Sequence, residues 1–98
     1  PPFPDGKEAV TVDFEQLVFP LTVRKWSPGD VFQPIGMQGK SQKIQDFLVN
    51  QKASRREKEQ LVLLVNGNGS IIWIPGYRPD ERFKIGPATR NALKIALF

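Results

Sequence analysis

Leu61 to Ile74 constrains this chain more than any other stretch. Leu61-Val62-Leu63-Leu64-Val65 is apolar without a break, and Ile71-Ile72-Trp73-Ile74 is apolar again. A short β-branched run bounded by turn residues reads as a strand, and one without a polar side reads as a strand covered on both faces. Between the two lies Asn66-Gly67-Asn68-Gly69, the strongest turn signal in the sequence, because Asn and Gly tolerate positive φ. The pair predicts a hairpin.

The flanking segments predict what packs around it. Val10 to Phe14 alternates as a short strand. Leu17 to Arg24 alternates again, with Leu17, Phe19, Leu21 and Val23 on one face. Pro20 cannot donate to a ladder, so this strand is expected at an edge or broken there. Ser27-Pro28-Gly29-Asp30 fits a type II turn, followed by a short strand at Val31-Phe32. Ile44, Phe47 and Leu48 have helical spacing, which predicts a helix over residues 42–51 with Ser41 or Gln42 near its N-cap. Ser54-Arg55-Arg56-Glu57 has capping-box spacing, which predicts a second helix from Arg55. Pro75-Gly76 ends the hairpin. Arg82 to Ile85 reads as a further strand, Pro87 to Asn91 as one turn of helix, and Leu93 to Leu97 as a final strand. The segments read as mostly β, with two or three short helices grouped in the middle. Residues 9–98 form one domain. Pro1 to Glu8 lacks the order of a signal peptide and reads as a linker or an arbitrary start of a longer chain.

Composition removes most chemistry. The sequence has no cysteine and no histidine. Disulfides, thiolate zinc sites, a cysteine nucleophile and every Ser-His-Asp arrangement are therefore excluded, together with the commonest general base and metal ligand. No apolar run approaches the ~20 residues of a membrane-spanning helix. Asp30, Asp46, Asp80 and Glu81 could be offered as an acid–base pair or a hard-metal site. Turn and surface roles account for them better, and no metal-ligand spacing recurs.

The charge that remains is unevenly placed. The net charge is +4, with −3 in residues 1–23, +5 in residues 24–58 and +2 in residues 59–98. The basic third contains Gly36-Met37-Gln38-Gly39-Lys40-Ser41-Gln42-Lys43, a glycine loop leading into a helix start, where backbone amides and the helix dipole favour an anion. Gly39-Lys40-Ser41 resembles the end of a Walker A loop, but Pro34 stands where the first glycine is required. Two arginines in the first turn of the second helix oppose its dipole, a placement that suits a partner more than the helix. Trp73 lies in an apolar run and reads as core; Trp26, beside Arg24 and Lys25, is the better candidate of the two for an exposed base-stacking aromatic, although core remains the leading reading for it too.

Taken in order, these residues resemble a known family. Val23-Arg24-Lys25-Trp26-x-Pro28-Gly29-Asp30-x-Phe32-x-Pro34-x-Gly36-Met37-x-Gly39 is similar to the opening of the C-terminal domain of bacterial tRNA(Ile)-lysidine synthetase. So are Gln42-Lys43-Ile44-x-Asp46-Phe47-Leu48-x-x-x-Lys52 and Ile72-Trp73-Ile74-Pro75-Gly76-x-Arg78-x-Asp80-x-Arg82-Phe83. The resemblance spans about residues 17–97. One departure is Ala53-Ser54, where the family often has Ile/Val-Pro.

The resemblance implies a cytoplasmic ligase that uses ATP and magnesium to adenylate the wobble cytidine of tRNA(Ile) and then joins lysine to it. That chemistry belongs to an N-terminal domain with an S-G-G-x-D-S loop, a motif absent here. This domain would need no cofactor and would hold tRNA at its acceptor stem, beside its own catalytic domain. A related module occurs in the phenylalanyl-tRNA synthetase β subunit, so the resemblance implies an α+β fold, a small mixed β-sandwich or half-barrel with two or three short helices. A-form RNA is recognised mostly through phosphates, 2′-hydroxyls and shape, which suits lysine, arginine, serine and glutamine on a rigid surface. The expected tRNA contacts are Lys40 and Lys43 on phosphates, Ser41 and Gln42 on sugar or phosphate oxygens, and Lys52, Arg55, Arg56 and Lys58 continuing the track. Arg24, Lys25, Arg78 and Arg82 complete the set, although Arg78 and Arg82 could instead brace the fold through Asp80 or Asp30. The alternative is a protein–protein or homodimerisation module with a solvated basic face.

Overall fold

The computed structural model describes residues 8–96. In chain order the elements are β1 (Ala9–Asp13), β2 (Thr22–Lys25), β3 (Val31–Phe32), β4 (Gln42–Lys43), α1 (Ile44–Asn50), α2 (Arg55–Gln60), β5 (Val62–Val65), β6 (Ile71–Ile74), β7 (Arg78–Pro79) and β8 (Ala92–Ala96). Two 3-10 turns, Phe14–Gln16 and Glu81–Phe83, interrupt the connections.

The apolar runs do form the central hairpin. β5 and β6 occupy the middle of an antiparallel sheet ordered β2-β5-β6-β7, with a register shift between Leu64 and Val65. Residues from this hairpin divide between two hydrophobic cores. Leu63, Val65, Ile71 and Ile74 pack with Phe32 of β3 and with Ile44, Phe47 and Leu48 of α1. Leu64, Ile72 and Trp73 pack with Val10 and Val12 of β1, with Phe83, and with the half-buried Leu93 and Ile95 of β8. β1 and β8 form a separate antiparallel ribbon, Ala9 opposite Ala96 through Asp13 opposite Ala92. The domain is therefore a sheet with the β1–β8 ribbon on one side and α1 with the β3–β4 ribbon on the other, the mixed sandwich expected. No helix among the described residues is long and apolar enough to cross a membrane.

Several local expectations are corrected. The helix starts at Ile44, not 42, because Gln42 and Lys43 pair with Phe32 and Val31 as β4; Lys43 is the N-cap and makes no side-chain capping bond. The Leu17–Arg24 strand is reduced to β2. The chain before it is irregular, and Phe19 and Val23 are exposed while Leu17 and Leu21 join the second core. The Ser27–Asp30 turn closes through the Asp30 amide to the Ser27 carbonyl, 3.0 Å, but Gly29 does not have positive φ, so the turn is not type II. Residues 82–85 are not a strand: Asp80 caps a 3-10 turn over Glu81–Phe83, and the fourth strand of the sheet is β7. Pro87 to Asn91 forms a turn rather than a helix. Residues 1–7 of the expected linker, and Leu97 of the last strand, lie outside the described residues.

The hairpin loop is fixed by a close backbone approach. The buried Asn66 side chain accepts from the Val18 amide at 2.7 Å and donates to the Gln16 carbonyl at 3.3 Å. The Gly67 amide donates to the Val18 carbonyl at 2.6 Å. A Cβ on Gly67 would overlap the Val18 carbonyl oxygen and lie 2.9 Å from its carbon. Both sides of that approach are backbone, so neither can swing away.

Gly67→Ala is therefore expected to lower stability by about 2 kcal/mol. Gly29→Ala is the control, since nothing lies within 4 Å of its Cβ position and its φ is ordinary. It should leave stability unchanged or raise it by about 0.5 kcal/mol. Urea unfolding of the two variants checks the contrast.

Candidate nucleic-acid interface

The basic third runs from β2 through α2, and among the expected contact residues the structure separates cations already engaged in the fold from cations left exposed. Arg24 is spoken for. Its guanidinium makes two bonds to the Asp30 carboxylate, both 2.9 Å, and donates to the Lys25 carbonyl at 3.0 Å. The Arg24 hydrogen bond holds the Asp30 carboxyl below its ordinary pKa and raises that of Arg24 in return. Arg82 is spoken for as well, donating to the fully buried Asp80 carboxylate at 3.0 and 2.9 Å. Arg78 lies 5.8 Å from the Phe47 ring centroid, a cation–π contact. Of the bracing roles open to Arg78 and Arg82, the pairing of Arg82 with Asp80 is the one present.

Lys40, Lys43, Lys52 and Arg56 form the other group. All four are exposed, and none makes a side-chain hydrogen bond or ion pair among the described residues. They bracket α1: Lys40 and Lys43 precede it, Lys52 and Arg56 follow it. Ser41 is exposed beside them, and Gln42 is half-buried in β4.

Several amides of the glycine loop and the helix start are engaged within the fold. The Met37 amide donates to the Pro34 carbonyl at 3.2 Å, and the Lys40 amide to the Met37 carbonyl at 3.1 Å. The Ile44 amide, first in α1, is taken by the Asp30 carbonyl at 2.9 Å. These N–H groups are consumed inside the fold, and β4 separates the loop from the helix start. The exposed Lys40 and Lys43 side chains are what this stretch most plainly offers an anion.

Lys52 carries a signal that the sequence does not announce. The Ala53 amide donates to the Leu48 carbonyl and the Lys52 amide to the Val49 carbonyl, both at 3.0 Å. This is a Schellman ending, with Ala53 packed on the core that contains Leu48. The motif needs a left-handed residue, normally glycine. Here it is Lys52, with φ 56°. A lysine there costs about 1 kcal/mol relative to glycine and projects a cation from the helix end. Among the described residues, Gln38 is the other non-glycine one with positive φ, 55°, in the loop between Gly36 and Gly39.

α2 has no buried residue of its own. Its capping box is formed as expected, Ser54 and Glu57 each accepting the other's amide at 3.1 Å. The rest of its attachment is polar. Tyr77 donates its hydroxyl to Glu57 at 2.8 Å. At the other end, the Trp26 indole donates to the Lys58 carbonyl at 2.8 Å and the Lys25 ammonium to the Glu59 carbonyl at 3.1 Å. Two of the carbonyls left over at the helix C-terminus are thereby satisfied from β2 and its extension. Arg55 pairs with Glu59 one turn on, at 3.2 Å, with both side chains well exposed.

The Tyr77 hydrogen bond, followed by the Ser54 bonds, depresses the pKa of Glu57, while burial and Glu57 raise that of Tyr77. A depressed carboxylate pKa stabilises above the unfolded value of ~4.3 and is lost as pH falls through the folded value. Amide exchange in residues 54–60 should therefore speed up selectively, relative to β5 and β6, as pH drops below about 4. Tyr77→Phe should remove much of that selective, acid-induced loosening.

Residues 21–95 match the family model described as the TilS substrate C-terminal domain. The tRNA(Ile)-lysidine synthase of Parabacteroides distasonis is 41% identical over 94 residues, 96% of this chain and 21% of that protein. That of Symbiobacterium thermophilum is 42% identical over 86 residues, 88% of this chain and 17% of that protein. The chain thus spans about a fifth of the length of these curated relatives. In fold, it matches a crystal structure of a TilS C-terminal domain with TM-score 0.76 and 22% identity, over 100% of this chain and 77% of that one. It also matches an N-terminal fragment of the phenylalanyl-tRNA synthetase β subunit from Pyrococcus horikoshii, with TM-score 0.67 and 16% identity, over 91% of this chain and 28% of that one. The order of the motifs, the sandwich and the relatives agree: this chain belongs to the C-terminal domain family of the tRNA(Ile)-lysidine synthases.

Proposed function

We propose that this chain holds tRNA for a tRNA(Ile)-lysidine synthase and makes no bond itself. The ligase chemistry, with ATP and magnesium, is assigned to a separate catalytic domain of the same cytoplasmic enzyme. The observation that carries the reading is the set of exposed cations without side-chain partners among the described residues, Lys40, Lys43, Lys52 and Arg56, placed on both sides of α1. α1 has seven residues and is about 10 Å long, so the two pairs span more than one backbone phosphate. Ser41 and Gln42 lie between them in sequence and supply neutral donors and acceptors for sugar oxygens. An A-form stem such as the acceptor stem offers this surface phosphates and 2′-hydroxyls. Arg24 and Arg82, engaged with Asp30 and Asp80, brace the surface and contribute less to binding.

Binding of tRNA should weaken steeply with salt. The double variant Lys40→Glu/Lys43→Glu should flatten the log–log slope by about 0.7–0.9 for each phosphate it ceases to neutralise. Binding by that variant as tight and as salt-sensitive as the parent's would refute the loop assignment. Lys52→Gly separates function from stability. It should raise the unfolding free energy by about 1 kcal/mol while lowering tRNA affinity several-fold, because one change relieves the left-handed φ and removes the cation.

A further inference from the structure

Trp26 is left over by a reading based on phosphates alone. It is half-buried, packed against the first core, and it lines a hollow of about 290 Å³ with Lys25, Arg55, Lys58 and Glu59. The ring is held in place by its N–H bond to the Lys58 carbonyl. Lys25 is held beside it by its bond to the Glu59 carbonyl, which uses one of three ammonium hydrogens. The hollow thus combines a fixed aromatic ring, three cations and one carboxylate. Its volume is at the small end of ligand pockets, enough for a single ring system and too small for an extended ligand.

We propose that this hollow receives one unpaired nucleotide of an RNA strand. The base stacks on Trp26, and its phosphate lies among Lys25, Arg55 and Lys58. Glu59 accepts from Arg55 through Oε1, which leaves Oε2 to accept from a base amino group. That favours cytosine or adenine over uracil, since a carboxylate accepts from an amino group and repels a carbonyl. The inference rests on the RNA-binding reading and adds to it: the domain engages a single-stranded nucleotide as well as a duplex backbone.

The test titrates the 98-residue chain with three RNAs of identical duplex sequence: blunt, with a short adenosine overhang, and with a uridine overhang. Trp73 is fully buried, so a fluorescence change on binding reports Trp26. The adenosine overhang should quench fluorescence and bind about tenfold tighter than the blunt duplex, in keeping with the affinity that one stacking aromatic supplies. The uridine overhang should gain less. Trp26→Ala also removes the indole bond that ties α2, so its readout is the ratio of overhang to blunt affinity on the same variant. That ratio should fall to about one, and Trp26→Phe, which keeps a ring but likewise lacks the N–H, should retain part of the advantage. Glu59→Gln should reduce the preference for adenosine over uridine. Salt-sensitive duplex binding with no overhang advantage and no specific quench would overturn the nucleotide site while leaving the phosphate-binding reading intact. Failure of all three RNAs to bind would overturn both.

Discussion

The side chain of Asp80 has no exposed surface and accepts from four N–H groups: the backbone amides of Gln33 and Arg82 at 2.8 Å, and the Arg82 guanidinium at 3.0 and 2.9 Å. Each backbone bond lies next to a core residue. Gln33 follows Phe32, buried in the first core, and Arg82 precedes Phe83, buried in the second. Its own amide donates to the Ile72 carbonyl of the central hairpin at 2.8 Å. One residue, through its carboxylate and its own amide, therefore fixes the β3 layer, the central sheet and the turn that closes over the opposite face. Removing the carboxylate would leave two part-buried amides and the Arg82 guanidinium without their acceptor, which is why such a group tolerates little change. The glycine loop starts at this anchor, since Pro34 bridges to Asp80 and the Ile35 amide donates to the Pro79 carbonyl at 3.1 Å. The lysines that the loop presents inherit their position from Asp80.

α2 depends on a different kind of bond. Six residues with none buried would not hold a helix in water by propensity alone. Ala53 and Leu61, at its two ends, pack into the first core. Between them the attachment consists of the capping box, the Tyr77 hydroxyl, the Trp26 indole and the Lys25 ammonium. Two of these ties leave from the end of β2, so that short edge segment sets where Arg55, Arg56 and Lys58 stand. The arginines that oppose the helix dipole are tolerated because tertiary bonds hold the helix.

The parts of this fold legible in the sequence are those where one local signal decides. The hairpin is written in two apolar runs and a turn, the start of α2 in Ser54 and Glu57, and the core face of α1 in Ile44, Phe47 and Leu48. Segments whose conformation depends on a distant partner are the ones that mislead. Gln42 and Lys43 have helix-compatible side chains but become a strand because Val31 and Phe32 are available. Arg82 to Ile85 alternates like a strand, yet Asp80 is drawn inward and caps a turn there. The basic character of the site is legible too. Which cations are already paired is not, because Arg24–Asp30 depends on a turn and Arg82–Asp80 on burial. Lys52 stands out by charge alone, and its left-handed backbone has no marker, since lysine occupies the place where glycine normally signals the motif.

The four-stranded sheet has two margins, one partly covered by Pro34 and Ile35 beside β7 and one open along β2, and both are guarded. β7 is two residues long and ends in Pro79, which has no N–H to offer. β2 is exposed along its whole length but carries Arg24 and Lys25, each held by a bond to a neighbouring element. A second sheet approaching that side would have to bury two charges or break the bonds that hold them. The same two residues that place the basic surface therefore also discourage edge-to-edge polymerisation. A small β-rich unit with a partly apolar edge, Val23 included, can thus be carried on a much longer polypeptide without becoming a seed for aggregation.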